Sequence, residues 1–487
     1  MKSPQKYLFI PLIILASAVG SACSSGKSVT SGGNTAASSD SAVVTTLPEL
    51  AACDTTALDS VTSPIEITFW HGMNTTLADE LVKLTDSYNA SQTKVKIKLV
   101  AQGGYEQTID AYLQGSESSR PDVVQMPEYM VQSMVDTKTM LPMQSCVNNA
   151  EFDLSTIGDK AVTAYSTQGA LQAMPFNLSN PVLFYNKKIF KAAGLDPEVS
   201  PKSLEDLTAF SEKIIASGAA KYGISLDSAL DSGGGWYLEQ WFAKAGELYT
   251  DNDNGRTARS TKVLFNNKTG TDLLTYLQGL LTSKLAVSVG DNASGQDQLL
   301  KLVDKKELTA MTIATTAALG PVIDVIKGGQ FKEQISLEDL GIGPMPGPNG
   351  TQGALVGGAS LWIVDKGDDV KNAAAWDYIK FMVSAQSQST WAAKTGYLPV
   401  NKAAETLDPL KTTYATDPRF KVGFDQLMAA KDAPSSNGPI IGPLREVRTV
   451  VAQAVAAIFK GADVATALAE AETKANQLIN DYNALNG

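Results

Sequence analysis

His71, in the run Phe69-Trp-His-Gly-Met73, is the sole histidine of a 487-residue chain. Ser–His–Asp and Cys–His nucleophilic sets use an imidazole as proton carrier, and a histidine-rich metal cage needs several. Each would have to be built on His71 alone, whose neighbours are aromatic residues and glycine. Hydrolysis by two carboxylates needs no histidine. The adjacent acid pairs, Asp79–Glu80 and Asp368–Asp369, fall in helical or turn-like polar stretches, where such charges ordinarily stay solvated. Two glycine-rich stretches, 231–241 and 341–362, contain no GxxxxGK[ST] pattern. A loop that cradles nucleotide phosphates is therefore not supported, and both read as turns between elements. The chain offers instead aromatic residues near expected loop ends: Trp70, Tyr105, Trp236, Trp241, Trp362 and Tyr397. Aromatic faces beside a few hydrogen-bonding groups suit a sugar or polyol. The expectation is a binding protein with no catalytic residue, no metal and no cofactor.

The elements that must position these residues follow from periodicity. Residues 64–70 place Ile65, Ile67 and Phe69 on one face and Glu66, Thr68 and Trp70 on the other, the alternation of a strand. Leu77, Leu81, Leu84 and Tyr88 then recur at helical spacing, with Thr76 and Asp79 placed as a capping box. Residues 94–99 alternate again, and 122–126 form a third strand after a further helical stretch. Strand, helix, strand at this spacing implies βαβ units and a parallel sheet, with ligands beyond the carboxyl ends of the strands. His71 falls at one such end. Residues 180–186 read as a strand, 187–197 as a short helix stopped by Gly194 and Pro197, and 203–218 as an amphipathic helix. At the C-terminus Val464, Leu468, Ala471, Ala475, Leu478, Ile479 and Tyr482 share one face of a long surface helix.

Length and charge bound the partners. A chain of 487 residues exceeds the ~250–300 at which single cores stop growing, so two or more lobes are expected. The net charge of −11 argues against nucleic acid, whose affinity rests on Lys and Arg neutralising phosphate. Residues 1–22 combine a basic start with the apolar run 7–19, too short to span a bilayer, and read as a secretory signal. The small residues ahead of Cys23 resemble the lipobox of bacterial lipoproteins, which implies lipidation of Cys23 and anchoring outside the cytoplasm; an ordinary signal peptide is the alternative. Residues 23–60, rich in Ser, Thr, Gly and Ala, should be a flexible tether. Cys53 and Cys146, an isolated pair in an extracytoplasmic chain, are expected to be bridged, which would stabilise by ~4 kcal/mol in the chain-entropy model.

Several segments together carry a family resemblance: FWHGM, GGYEQ at 103–107, PDVVQMPE at 121–128, MPFNLSNPVLFYNKKIFKAAGLDP at 174–197, GGASLW at 357–362 and KTGYLPV at 394–400. In this order, over roughly residues 62–487, the chain resembles the family 1 solute-binding proteins of bacterial ABC importers, and most of all the sn-glycerol-3-phosphate binders. The resemblance implies an α/β, two-lobe, periplasmic-binding-protein-like (type II) fold with hinge crossovers and an interlobe ligand cleft. The crossovers would lie near Phe176–Pro181, Pro344–Gly353 and Gly396–Val400, giving lobe 1 as 62–177 plus 353–397 and lobe 2 as 181–345 plus 400–487. It implies ligand contacts from Tyr105, Glu128, Ser179, Trp236, Thr315, Gly358 and Tyr397. Of these, Glu128 would accept hydrogen bonds from hydroxyls, and Gly358 would present its backbone N–H. It further implies a monomer that delivers a sugar, polyol or glycerophosphoryl solute to ABC permease subunits. A secreted carbohydrate-active enzyme and a surface adhesion module are the alternatives. One position departs from the pattern: Ile440 stands where the glycerophosphate binders have the arginine that holds phosphate, and an isoleucine cannot make that bidentate contact. Arg448, on the following helix, is assigned a structural role. A neutral carbohydrate and a glycerophosphodiester both remain open.

Overall fold

The computed structural model describes residues 50–487. The alternating stretch forms strand β1 (Ile65–His71), with Ile67, Phe69 and His71 buried. It pairs in parallel with β2 (Val95–Ala101) and β3 (Val123–Pro127), as the βαβ pattern requires. The intervening helix α1 (Thr75–Ser91) starts two residues earlier than the capping-box pattern implies, with Asn74 and not Thr76 at the N-cap. Thr76 therefore sits inside the first turn, and its buried hydroxyl has no partner. A reciprocal capping box does form farther on, between Ser203 and Asp206.

Two mixed sheets result. The first runs β2-β1-β3-β11-β4, where β4 is Met140–Leu141 and β11 is Gly357–Val364, and β5 (Met174–Ser179) also pairs with β11. The second runs β8-β7-β9-β6-β10, built from β6 (Pro181–Asn186), β7 (Tyr222–Leu226), β8 (Ala286–Ser288), β9 (Thr309–Thr315) and β10 (Leu340–Pro344). The glycine-rich stretch 341–362 is thus no simple turn, because its two ends are β10 and β11. Glycine is tolerated there where a neighbour must come close: a Cβ at Gly341 would collide with the Tyr185 ring. The stretch 231–241 turns only as far as Gly235, and helix α2 (Trp236–Ala245) follows.

The chain leaves the first sheet at Ser179 and enters the second at Pro181, so Asn180 alone makes the first crossing. It returns between Pro344 and Gly357. Gln426 joins the two passages: its amide N–H donates to Pro181 O at 2.8 Å and Asn180 Oδ1 at 3.2 Å, and its Oε1 accepts from Met345 N at 2.7 Å. Leu398 N donates to Leu178 O at 2.7 Å, which brings the 396–400 segment against the first crossing.

Cys53 and Cys146 form a disulfide. With Leu58 buried in the short turn Ala57–Ser60, the bond fastens residues 50–60 to the body of the protein, so the tether does not extend to residue 60. The leader, Cys23 and tether residues 23–49 lie outside the described residues. At the other end the helices Leu444–Phe459 and Val464–Asn486 pack on each other and on Lys268–Thr282. The last helix buries Val464, Leu468, Ala471, Ala475 and Ile479, the stripe expected of it.

Candidate functional site

The turn after β1 begins the site. Gly72 approaches the backbone of Gly104 so closely that a Cβ would lie 2.7 Å from the Gly104 carbonyl carbon, so only glycine fits. Its N–H donates to Gln125 Oε1 at 2.9 Å. A backbone N–H can only donate, and this fixes the direction of every bond downstream. Gln125 must present its oxygen to Gly72 and its Nε2 to Asn177 Oδ1 at 2.9 Å. Asn177 then presents its Nδ2 to the Tyr105 hydroxyl at 2.8 Å. The Tyr105 oxygen accepts that bond, leaving its own proton free to be donated, and the Tyr397 hydroxyl stands 3.4 Å away. Tyr397 stacks on Trp391 with ring centroids 5.7 Å apart. Burial raises the hydroxyl pKa values of Tyr105 and Tyr397, so both act as neutral donor–acceptors.

A charged group lies at the end of β3. Arg448, with 2% of its surface exposed, holds Glu239 through two bonds of 2.7 Å and reaches Glu128 at 3.0 Å. Its guanidinium covers the Tyr129 ring at 4.9 Å. Burial pushes the Glu128 carboxyl up to about 7, against Arg448, which lowers it, and with Glu239, which raises it. Burial thus favours a protonated Glu128 able to donate as well as accept, and Arg448 favours the carboxylate, which only accepts. Beyond it, Arg445 pairs with Glu106 and Asp110, and the Tyr129 hydroxyl donates to Glu106 at 2.6 Å.

Glycines shape the third part. Trp236, first residue of α2, packs so closely on Gly357 that a Cβ there would overlap its ring, and its buried indole N–H has no partner. Gly358 has φ +91° and meets the Asn177 carbonyl on its Cβ side, so its glycine answers to backbone packing. Ser179 pairs with Gly357 across β5 and β11 and is buried. Thr315 ends β9 opposite Pro181, and its hydroxyl caps the following turn through Ala317 N at 3.3 Å. Among the expected residues, Tyr105 and Tyr397 are brought into direct reach of each other, and Ser179 and Gly358 are adjoined by Asn177 and Gly357. Glu128 is held in the charged group, while Thr315 bonds to none of the others.

Sequence reasoning missed four contributors, Gln125, Asn177, Arg448 and Tyr165. Asn177 lies in the same motif as Ser179, but its role depends on Gln125, 52 residues away. Arg448 was assigned to structure, and it does anchor Glu239, yet it also holds Glu128. Tyr165 is fully buried with an unpartnered hydroxyl, within electrostatic reach of Glu128 and Tyr397. His71 is buried beside Phe69, with centroids 5.8 Å apart, and its Nδ1 has no partner. Burial pushes the imidazole down to about 4, leaving it neutral and packed, with Gly72 and Met73 as the residues that extend from β1 towards the tyrosines.

Two α/β lobes that exchange the chain at narrow crossings, with aromatic and hydrogen-bonding groups gathered beside them, define a hinged ligand-binding protein. A family model for bacterial extracellular solute-binding proteins matches residues 83–422, and the chain belongs to that family. It is 29% identical over 412 residues to the sn-glycerol-3-phosphate-binding periplasmic protein UgpB of Yersinia pseudotuberculosis, covering 81% of this chain and 88% of that one. Its fold is similar to the cyclic alpha-maltosyl-1,6-maltose binding protein of Arthrobacter globiformis (TM-score 0.67, 22% identity, 86% and 100% of the two chains). It is equally similar to UgpB of Mycobacterium tuberculosis in complex with glycerophosphocholine (TM-score 0.68, 20% identity, 86% and 98%). The family consists of solute binders, and the chain is not an enzyme.

Proposed function

We propose that the protein captures a polyhydroxylated solute between lobe 1 (62–177 plus 353–397) and lobe 2 (181–345 plus 400–487) and delivers it to the permease of an ABC importer. In this reading it acts as a monomer held to the membrane by a lipid on Cys23. The contacts are Tyr105, Glu128, Ser179, Trp236, Thr315, Gly358 and Tyr397, with Asn177 orienting Tyr105 and Tyr165 adding a hydroxyl. The observation that carries the reading is the directed chain from Gly72 to Tyr105. It ends on neutral hydroxyls flanked by stacked rings, a surface matched to sugar hydroxyls. The named ligands of the similar proteins are glycerol-3-phosphate, glycerophosphocholine and a cyclic maltosyl-maltose, and they mark out the solute classes to test.

Among these a neutral sugar or polyol is favoured. Both arginines near the site are matched by carboxylates, Arg448 by Glu128 and Glu239 and Arg445 by Glu106 and Asp110. Ile440, at the position of the phosphate-holding arginine, is buried and bonds only through its backbone to Asn254 and Ser260. Calorimetry with maltose, other disaccharides, glycerol-3-phosphate and glycerophosphocholine tests this. Saturable binding of a neutral sugar that is lost in Tyr105→Ala supports it, and tight binding of glycerol-3-phosphate alone defeats it.

A further inference from the structure

A cavity of about 310 Å³ opens where the second crossing meets the 430–436 segment. Its walls include Gly353 and Ala430, whose backbones touch: a Cβ at Gly353, where φ is +112°, would stand 2.8 Å from Ala430 Cα. A lysine from each side holds this junction. Lys160 donates to Ala430 O at 2.9 Å, and Lys244, near the end of α2, donates to Gly353 O at 2.6 Å and to Thr351 O at 3.5 Å. Lys244 is 4% exposed, and no carboxylate among the described residues pairs with it. A lysine ammonium has three N–H donors, so one is left over. Burial with no offsetting charge pulls its pKa down to about 8. The cavity is lined further by Lys431, Ser435 and Ser436, and no lining residue is acidic.

We propose that this cavity binds a small oxyanion, a phosphate or a carboxylate, at a site distinct from the solute cleft. A buried cation whose partners are only carbonyl dipoles is costly, and a bound anion offsets that cost. Lys244 supplies the charge, with the Ser435 and Ser436 hydroxyls and Lys431 at hand to complete the shell. Because one wall, residues 351–354, belongs to the passage that returns to the first sheet, the anion would stiffen that junction and bias the lobes towards the arrangement seen here.

The test is calorimetric titration with inorganic phosphate, and separately with malonate, at constant ionic strength made up with chloride. At least one of the two should bind saturably to the wild type; which one binds identifies the anion's chemistry. Lys244→Met should weaken that binding by about tenfold or more, as expected for loss of a charged hydrogen bond. Ser436→Glu, at a half-buried position on the cavity wall, should abolish it by supplying an internal carboxylate. Absence of binding by both anions to the wild type overturns the proposal. So does binding that survives in both Lys244→Met and Ser436→Glu.

Discussion

The neutral chain Gly72–Gln125–Asn177–Tyr105 and the charged group Glu128–Arg448–Glu239 lie close together but are held by different physics. In the first, a backbone N–H sets the sense of every bond, and none of the participants changes charge near neutrality. Its geometry should be indifferent to pH and salt. In the second, one guanidinium is shared by two buried carboxylates contributed by distant parts of the sequence, 320 and 209 residues away. That arrangement is sensitive to the loss of any member, because the charges left behind stay buried. The neutral chain orients; the charged group holds two parts of the structure in register.

The sharpest way to break this contrast is Arg448→Met. It strands Glu128 and Glu239 together and should lower stability by about 3–5 kcal/mol, read from chemical denaturation. Adding Glu128→Gln and Glu239→Gln to the same chain should restore much of the loss. Tyr105→Phe comes next. It deprives the buried Asn177 amide of its acceptor and should cost about 1–3 kcal/mol, with solute affinity falling while the circular dichroism spectrum is unchanged. If Arg448→Met is the milder of the two, the assignment of roles is reversed.

The pH response is smaller and has a defined sign. The folded-state pKa of Glu128 is raised from 4.5 to about 7, so between those values the folded form holds a proton that the unfolded form has lost. The contribution of Glu128 to stability should therefore decline as pH rises from about 4.5 to about 7 and level off above it. The stability difference between wild type and Glu128→Gln should follow that slope, whereas Tyr105→Phe should show a difference flat across the range. Least of all, Arg445→Ala should change stability by about 0–1 kcal/mol, since its partners Glu106 and Asp110 have 36% and 50% of their side chains exposed. What remains of its effect should vanish at high salt.

How much of this was readable beforehand follows from burial. Strand β1 and the C-terminal helix bury one face each, so Ile67 and Phe69, or Leu468 and Ala475, mark their periods plainly. Strands β5 and β6 are buried on both faces, so MPFNLS carries no alternation to read. Glycine misled at 341–362, where its absent side chain admits Tyr185, Trp236 and the Asn177 carbonyl into a sheet. In the site, the aromatic residues announced themselves by type. The roles of Gln125, Asn177 and Arg448 did not, since each is defined by a partner remote in sequence and by a direction of donation that only a fixed N–H settles.

Gln426 carries a mechanical consequence. One side-chain amide grips the outgoing strand at Pro181 and the returning passage at Met345, so neither passage can swing without dragging the other. The joint then behaves as a single axle and not as two independent straps. Replacing that amide with an apolar side chain would uncouple the passages, and the lobes would gain a twisting freedom that the intact joint denies them.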